Sequence, residues 1–279
     1  MVNTIDSLSV TAGSEESGPA VSARRRVIRG PLWVRFLIGA LVPIALLATW
    51  QLIIVLDVVP SYRLPSPETV FLAGVDLYNR GLLGLHIAIS TQRVLIGFVT
   101  GSLIGLVVAA FVGLSTFGSR LLSPTLGGIR AVPSLAWVPL LGLYLGINED
   151  SKVVLIAIGA FFPVYTTVSA ALRHVEPQLV EAGRAYGYSG VRLLGLVQLP
   201  AVVPAVIAGL RLALAQSWLF LVAGELLGAS LGLGFLLVES QQNSRIDRLF
   251  LVILLLGILG KITDALIGLL ERYLLKRWG

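Results

Sequence analysis

Twenty-one consecutive residues from Phe36 to Leu56 carry no charged side chain, and the twenty from Val153 to Leu172 repeat the feature. As helix the first run is about 32 Å long, enough for one full bilayer crossing. Composition extends the pattern along the chain: 56% of the 279 residues are hydrophobic, 30 are Gly and only 13% are charged, against about 25% charged in soluble domains. The mean hydropathy of +0.90 is therefore not confined to one segment. A single polytopic membrane domain is expected, and a water-soluble globular fold is excluded. The absence of Cys removes disulfide scaffolds, thiolate metal sites and cysteine nucleophiles. The net charge of +6 suits loops facing anionic lipid better than nucleic acid.

The first 23 residues or so have no apolar period and cannot bury enough surface to offset the entropy of ordering. Residues 1–32 are expected to form a disordered cytoplasmic tail, and residues 33–279 the membrane domain. Arg24, Arg25, Arg26, Arg29 and Arg35 precede the first span and place the tail inside. The first span is too long for a secretory signal's apolar core and ends at Asp57-Val58-Val59-Pro60, without a small-residue cleavage site. Ser66-Pro67-Glu68 combines an N-cap, a Pro at the first helical position and an early acid, so a short amphipathic surface helix is expected to about Asn79. A second span, roughly His86 to Leu114, places Gly97, Gly101, Gly105, Ala109 and Gly113 four residues apart, a stripe that admits a close helix neighbour. Ser123-Pro124 resembles another helix start. A third span is expected to about Ile147, with Pro133 and Pro139 freeing carbonyls that protein or water must satisfy.

Asn148-Glu149-Asp150 form an outer turn, and Val153–Leu172 returns inward to a polar loop at about 173–199. Ala201–Gly224 crosses outward. The 13 apolar residues from Leu226 to Val238 are too few to cross alone, so a re-entrant or broken helix is expected there. Leu249–Leu270 completes about six spans. On this layout twelve cations lie inside and five outside, an asymmetry that places both termini in the cytoplasm. The other four, Arg93, Arg130, Arg211 and Lys261, fall within spans, where each costs about 2.5–3.5 kcal/mol at the centre and must face protein or water. Lys261 and Asp264 are spaced as a neutralising pair.

Enzymatic chemistry finds no purchase. His86 and His174 are the only histidines and lie at opposite faces, and no HExxH, GxSxG or GxxxxGK[ST] pattern occurs. The informative stretch is the inner loop: Glu181-Ala182-Gly183-Arg184-Ala185-Tyr186-Gly187, then nine residues to Val197-Gln198-Leu199-Pro200. Glu181–Tyr186 reads as a short helix with small residues on one side. Gly187 is suited to end it at positive φ, and Ser189 to cap the next helix. The product is a compact knob with charged and aromatic contacts for another protein.

This pattern resembles the signature of inner-membrane permeases of binding-protein-dependent ABC importers: EAA, three residues, G, nine residues, I, one residue, LP. Here Gly183 stands for the third signature residue and Val197 for Ile, and Gly183 is expected to make its helix more flexible. Similarity to the aliphatic sulfonate, taurine and nitrate branch extends through LPSPETV (64–70), RAVPSLAWVPLLGLYLGI (130–147), AIGAFFPVYTT (157–167) and GELLGASLGLGFLL (224–237). The resemblance implies an all-α type I importer bundle in the bacterial inner membrane. It implies two ABC ATPase subunits, a second permease chain, in a homodimer or as a paralogue in a heterodimer, and an extracytoplasmic solute-binding protein. It also implies that the 181–187 stretch is the ATPase-coupling helix, carrying that role to Glu181, Ala182, Gly183, Arg184, Ala185, Tyr186 and Gly187. No cofactor is expected on this chain; ATP and Mg would be used by the partner ATPases.

Arg130, Ser134, Trp137, Arg211, Trp218 and Glu225 are the polar or aromatic groups on or near membrane-depth segments and are the candidates for the translocation pathway. For Arg130 and Arg211, lining an anion path and internal pairing both remain open. The competing class, a stand-alone secondary transporter or channel, needs no ATPase and usually carries internal repeats, of which none is evident.

Overall fold

The computed structural model describes residues 32–60, 62–226 and 228–278, and the expected tail at 1–31 lies outside the described residues. The fold is all-α, and the described residues contain no strand. The chain divides into two units, residues 1–48 and 49–279. Helix α1 (Leu32–Val55) begins in the first, where Ile38, Leu41, Val42, Ile44 and Leu46 are exposed as a lipid-facing surface would be. In the second unit α2 (Pro67–Asn79) forms where expected: Ser66 accepts a hydrogen bond from the Thr69 N–H, and Pro67 occupies the first turn. Its Asp76 is held below the ordinary carboxylate range by the hydrogen bond from Arg80, and Arg248 of the last helix adds a second arm at 3.0 Å.

Three long helices make the core: α3 (Leu82–Leu114), α6 (Glu149–Arg173) and α9 (Leu199–Leu226). Their relative directions follow from the glycines. A Cβ at Gly97 would lie 2.5 Å from Ile156, one at Gly105 3.1 Å from Val164, and one at Gly113 2.8 Å from Leu172. Residue numbers rise together, so α3 and α6 run parallel, in contact along the whole small-residue stripe. Gly209 meets Thr167 and Gly224 meets Leu155, so α9 runs antiparallel to α6. Parallel neighbours require a return crossing between them, and α4 (Thr116–Ala131) and α5 (Trp137–Leu145) provide it.

That return is where the structure departs from a continuous third span. Val132, ahead of Pro133, is extended (φ −70°, ψ 126°), the conformation that the following proline ring favours. A single 3-10 turn (Ser134–Ala136) intervenes before α5. Ser123-Pro124 is not a helix start: α4 is capped at Ser115, whose Oγ accepts from the Gly118 N–H, and Pro124 lies inside it. Five described helices are long and apolar enough to cross a membrane, and α4 and α5 supply a further crossing as two pieces. The 226–238 segment is broken as expected: α9 ends at Leu226 and α10 (Leu233–Gln242) starts afresh before α11 (Ile246–Trp278).

Candidate functional site

The inner-loop knob is built from α7 (Pro177–Ala185) and the one-turn α8 (Gly190–Leu193). Pro177 starts α7, and Gly187 stops it at φ +81°. The Gly187 N–H donates to the Arg184 carbonyl (2.8 Å) and the Tyr188 N–H to the Gly183 carbonyl (3.0 Å), the paired bonds of a left-handed glycine terminus. Glu181, Ala182, Arg184, Ala185, Tyr186 and Gly187 are all exposed, Tyr186 at 82%.

Gly183 alone faces inward. A Cβ there would meet Leu193 at 2.7 Å and Val197 at 2.9 Å. The missing side chain of Gly183 lets α7 seat directly on the segment leading into α9, a packing role beside the expected looseness of the helix. Arg192 stacks over the Tyr188 ring at 5.2 Å. Ser189 stands at the cap position of α8 but makes no side-chain cap bond. Between α8 and α9 the chain widens into a π-helical turn (Leu194–Gln198), with the Leu199 N–H reaching back to Leu194. Pro200 follows; its missing N–H and its ring disfavour an α-turn at that point.

At the opposite end of the α3/α6/α9 core lies a buried ionic cluster that sequence reading did not assemble. Arg93 of α3 is the hub. Its Nε and Nη2 donate to the two Glu149 oxygens (2.6 and 2.7 Å), and its Nη1 donates to Glu225 Oε1 (2.6 Å) and to the Leu231 carbonyl (2.7 Å). Glu225, whose side chain is wholly buried, also accepts from Ser90 Oγ (2.8 Å) and the Gly234 N–H (2.6 Å). Ser90 accepts from the Leu233 N–H, His86 Nδ1 from the Gly232 N–H, and Lys152 closes the set on Glu149 at 2.9 Å. Two cations and two carboxylates thus balance at the start of α6 and the end of α9. The cluster also clamps the break between α9 and α10 onto α3. The available signal was Arg93 itself, a span cation whose partners lie 56 and 132 residues away in sequence.

The other membrane-depth candidates separate. Arg211 is held by α11, its Nε and Nη2 on Asp264 (2.8 and 2.9 Å) and its Nη1 on Glu271 (3.2 Å). Lys261 reaches the same Asp264 at 3.7 Å, so the expected i,i+3 pair is the weaker half of a network centred on Arg211. Buried Trp218 donates from its indole N–H to Thr263 Oγ1 (3.0 Å), a second α9–α11 tie. Trp137 is half-buried and lines an apolar groove between α3 and α6. Ser134 belongs to the 3-10 turn, and its side chain lies outside the described residues. Arg130, in the last turn of α4, opens onto a cavity of about 260 Å³ shared with α6 and α9, and forms no ion pair among the described residues.

Parallel α3 and α6 with a broken return helix, an exposed knob at one end and an ionic clamp at the other define a class: a polytopic all-helical membrane bundle. Solved structures agree on the fold. Similarity to a chain of the MetNI methionine ABC transporter in an inward-facing conformation covers 66% of this chain and 92% of that one, with a TM-score of 0.59 at 22% identity. The chain belongs to the family described as binding-protein-dependent transport system inner membrane component, which matches residues 101–276. It is 39% identical over 238 residues to the aliphatic sulfonates transport permease protein SsuC of Bacillus subtilis, covering 85% of this chain and 86% of that protein. The Escherichia coli protein of the same name is 38% identical, covering 85% and 89%. The E. coli taurine transport system permease protein TauC is 31% identical, covering 90% and 94%.

Proposed function

We propose that this chain is the membrane-spanning subunit of an ATP-driven importer for a small organic anion of the aliphatic sulfonate class, working by alternating access. The observation that carries the reading is the knob: exposed, rigidly capped at Gly187 and seated through Gly183 on the segment that becomes α9. A partner that grips α7 therefore pulls directly on a core helix. Two ATPase subunits would bind the knobs of two copies of the chain, and an extracytoplasmic binding protein would deliver the solute. ATP and Mg would be consumed on the ATPases. The cytoplasmic position of both termini belongs to the same proposal and is supported by the distribution of cations.

Within the chain, Arg211, Trp218 and Glu225 would serve as wall, because each is tied to a neighbouring helix. Arg130 would remain on the path. The test is co-expression with the cognate ATPase and binding protein: the ATPase should co-purify stoichiometrically, and Glu181→Ala should abolish uptake while the permease stays inserted. A maleimide placed by Tyr186→Cys should react from the cytosolic side only. Uptake by the purified chain with no ATPase present would overturn the proposal in favour of a secondary transporter.

A further inference from the structure

Four cations fall within the spans, and pairing removes three of them: Arg93 by Glu149 and Glu225, Arg211 by Asp264 and Glu271, and Lys261 by Asp264. Of these four, only Arg130 has no ion pair among the described residues; it is exposed and borders a cavity. The depth of that cavity follows from the helices that line it. Gly159 and Thr166 of α6 lie ten residues after Glu149 and seven before Arg173, about 15 and 10 Å from the two ends. Leu212 and Phe220 of α9 lie thirteen residues after Leu199 and six before Leu226, which brackets the same level. The cavity is therefore central. Beside it, directly after Arg130, the chain leaves helical geometry at Val132, with Ala131, Val132 and Pro133 exposed. Non-helical backbone at membrane depth is stable against protein or along a water-filled cavity, and this break lies two residues from Arg130, which lines one.

We infer that this cavity is the anion subsite of the translocation path. It would take a small organic monoanion with its charged head on Arg130 and Gln216 and its carbon chain against Phe162, Leu212 and Phe220. The assignment rests on the permease reading above. Gln216 is the neutral donor of the site, because Thr166 spends its hydroxyl proton on the carbonyls of Phe162 and Pro163. A volume of about 260 Å³ equals that of roughly nine water molecules at about 30 Å³ each, room for a short alkanesulfonate with part of its hydration shell. An inorganic anion of equal charge leaves the apolar wall unused and gains only the Arg130 half of the site.

The test pairs transport with direct binding. In proteoliposomes holding the complete transporter at saturating binding protein, Arg130→Gln and Gln216→Glu should each lower butanesulfonate uptake at least tenfold with the ATPase chain still bound, and Arg130→Lys should restore part of it. Independently, butanesulfonate should raise the melting temperature of the full-length permease in detergent, nitrate should raise it much less, and Arg130→Gln should abolish the shift. Wild-type uptake rates in both Arg130→Gln and Gln216→Glu would overturn the subsite, as would stabilisation that is indifferent to Arg130. Equal stabilisation by nitrate would overturn the organic-anion assignment. ATPase-independent uptake by the wild type would instead refute the importer reading, and the melting experiment would still decide the subsite.

Discussion

Arg93→Met tests the ionic clamp, and its two partners supply an internal control. The Arg93 side chain is 6% exposed, and its carboxylate partners differ sharply: Glu225 is 0% exposed and Glu149 61%. Removing the guanidinium leaves Glu225 buried with only the Ser90 hydroxyl and the Gly234 N–H. Stranding one member of a buried pair costs about 3–5 kcal/mol, most of it the uncompensated charge. Glu149 is exposed but is also the ion-pair partner of Lys152, whose side chain is 5% exposed. The control is therefore Lys152→Met/Glu149→Gln, which strands no buried charge, leaves Arg93 on Glu225 and should cost no more than about 1 kcal/mol. For a domain of this size each kcal/mol lowers the melting temperature by about 2–4 °C, which predicts a drop of roughly 6–20 °C for Arg93→Met and less than about 4 °C for Lys152→Met/Glu149→Gln. The double variant Arg93→Met/Glu225→Gln should regain more than half of the loss, because residue 225 no longer holds a stranded buried charge. Thermal unfolding in mild detergent, followed by loss of the monodisperse species, measures all three. A Lys152→Met/Glu149→Gln loss as large as that of Arg93→Met, or an Arg93→Met/Glu225→Gln variant no more stable than Arg93→Met, would refute the assignment of the energy to Glu225.

Three further outcomes follow from single positions. Gly187 has open space around its Cα, so Gly187→Val meets only the backbone penalty of the left-handed region, about 1–2 kcal/mol and more for a β-branched residue; uptake should fall steeply while Gly187→Asn retains most of it, measured against equal membrane-inserted protein. At Gly101 a Cβ would collide with the Ala157 backbone, which cannot move without parting α3 from α6, so Gly101→Val should cost about 3 kcal/mol or more and sharply reduce the folded yield on size exclusion. Arg211→Gln should leave transport unchanged, because its charge is already spent on Asp264 and Glu271; a tenfold fall in uptake with normal assembly would return Arg211 to the path.

The helices and the knob were legible because their causes are local. Apolar run length specifies which segments are long enough to cross, Ser66-Pro67 specifies where α2 starts, and a glycine six residues after Glu181 specifies where the knob turns. The Ser123-Pro124 start misled because the same two residues fit a helix interior once Ser115 has capped eight residues earlier. Pro133 by itself does not locate the break at Val132, because Pro124, Pro163 and Pro204 lie inside continuous helices.

The crossings, the surface helix and the handle on the inner loop are encoded locally, since each depends on residues within a turn or two of one another. Only the tertiary structure decided that α3 and α6 run parallel, that Glu225 lies under Arg93 from 132 residues away, and that Arg211 has partners while Arg130 has none among the described residues. The physical reason is range. Hydrogen bonds along a helix are settled by neighbouring residues, whereas the fate of a charge in the membrane depends on which distant carboxylate the packing brings within 3 Å of it.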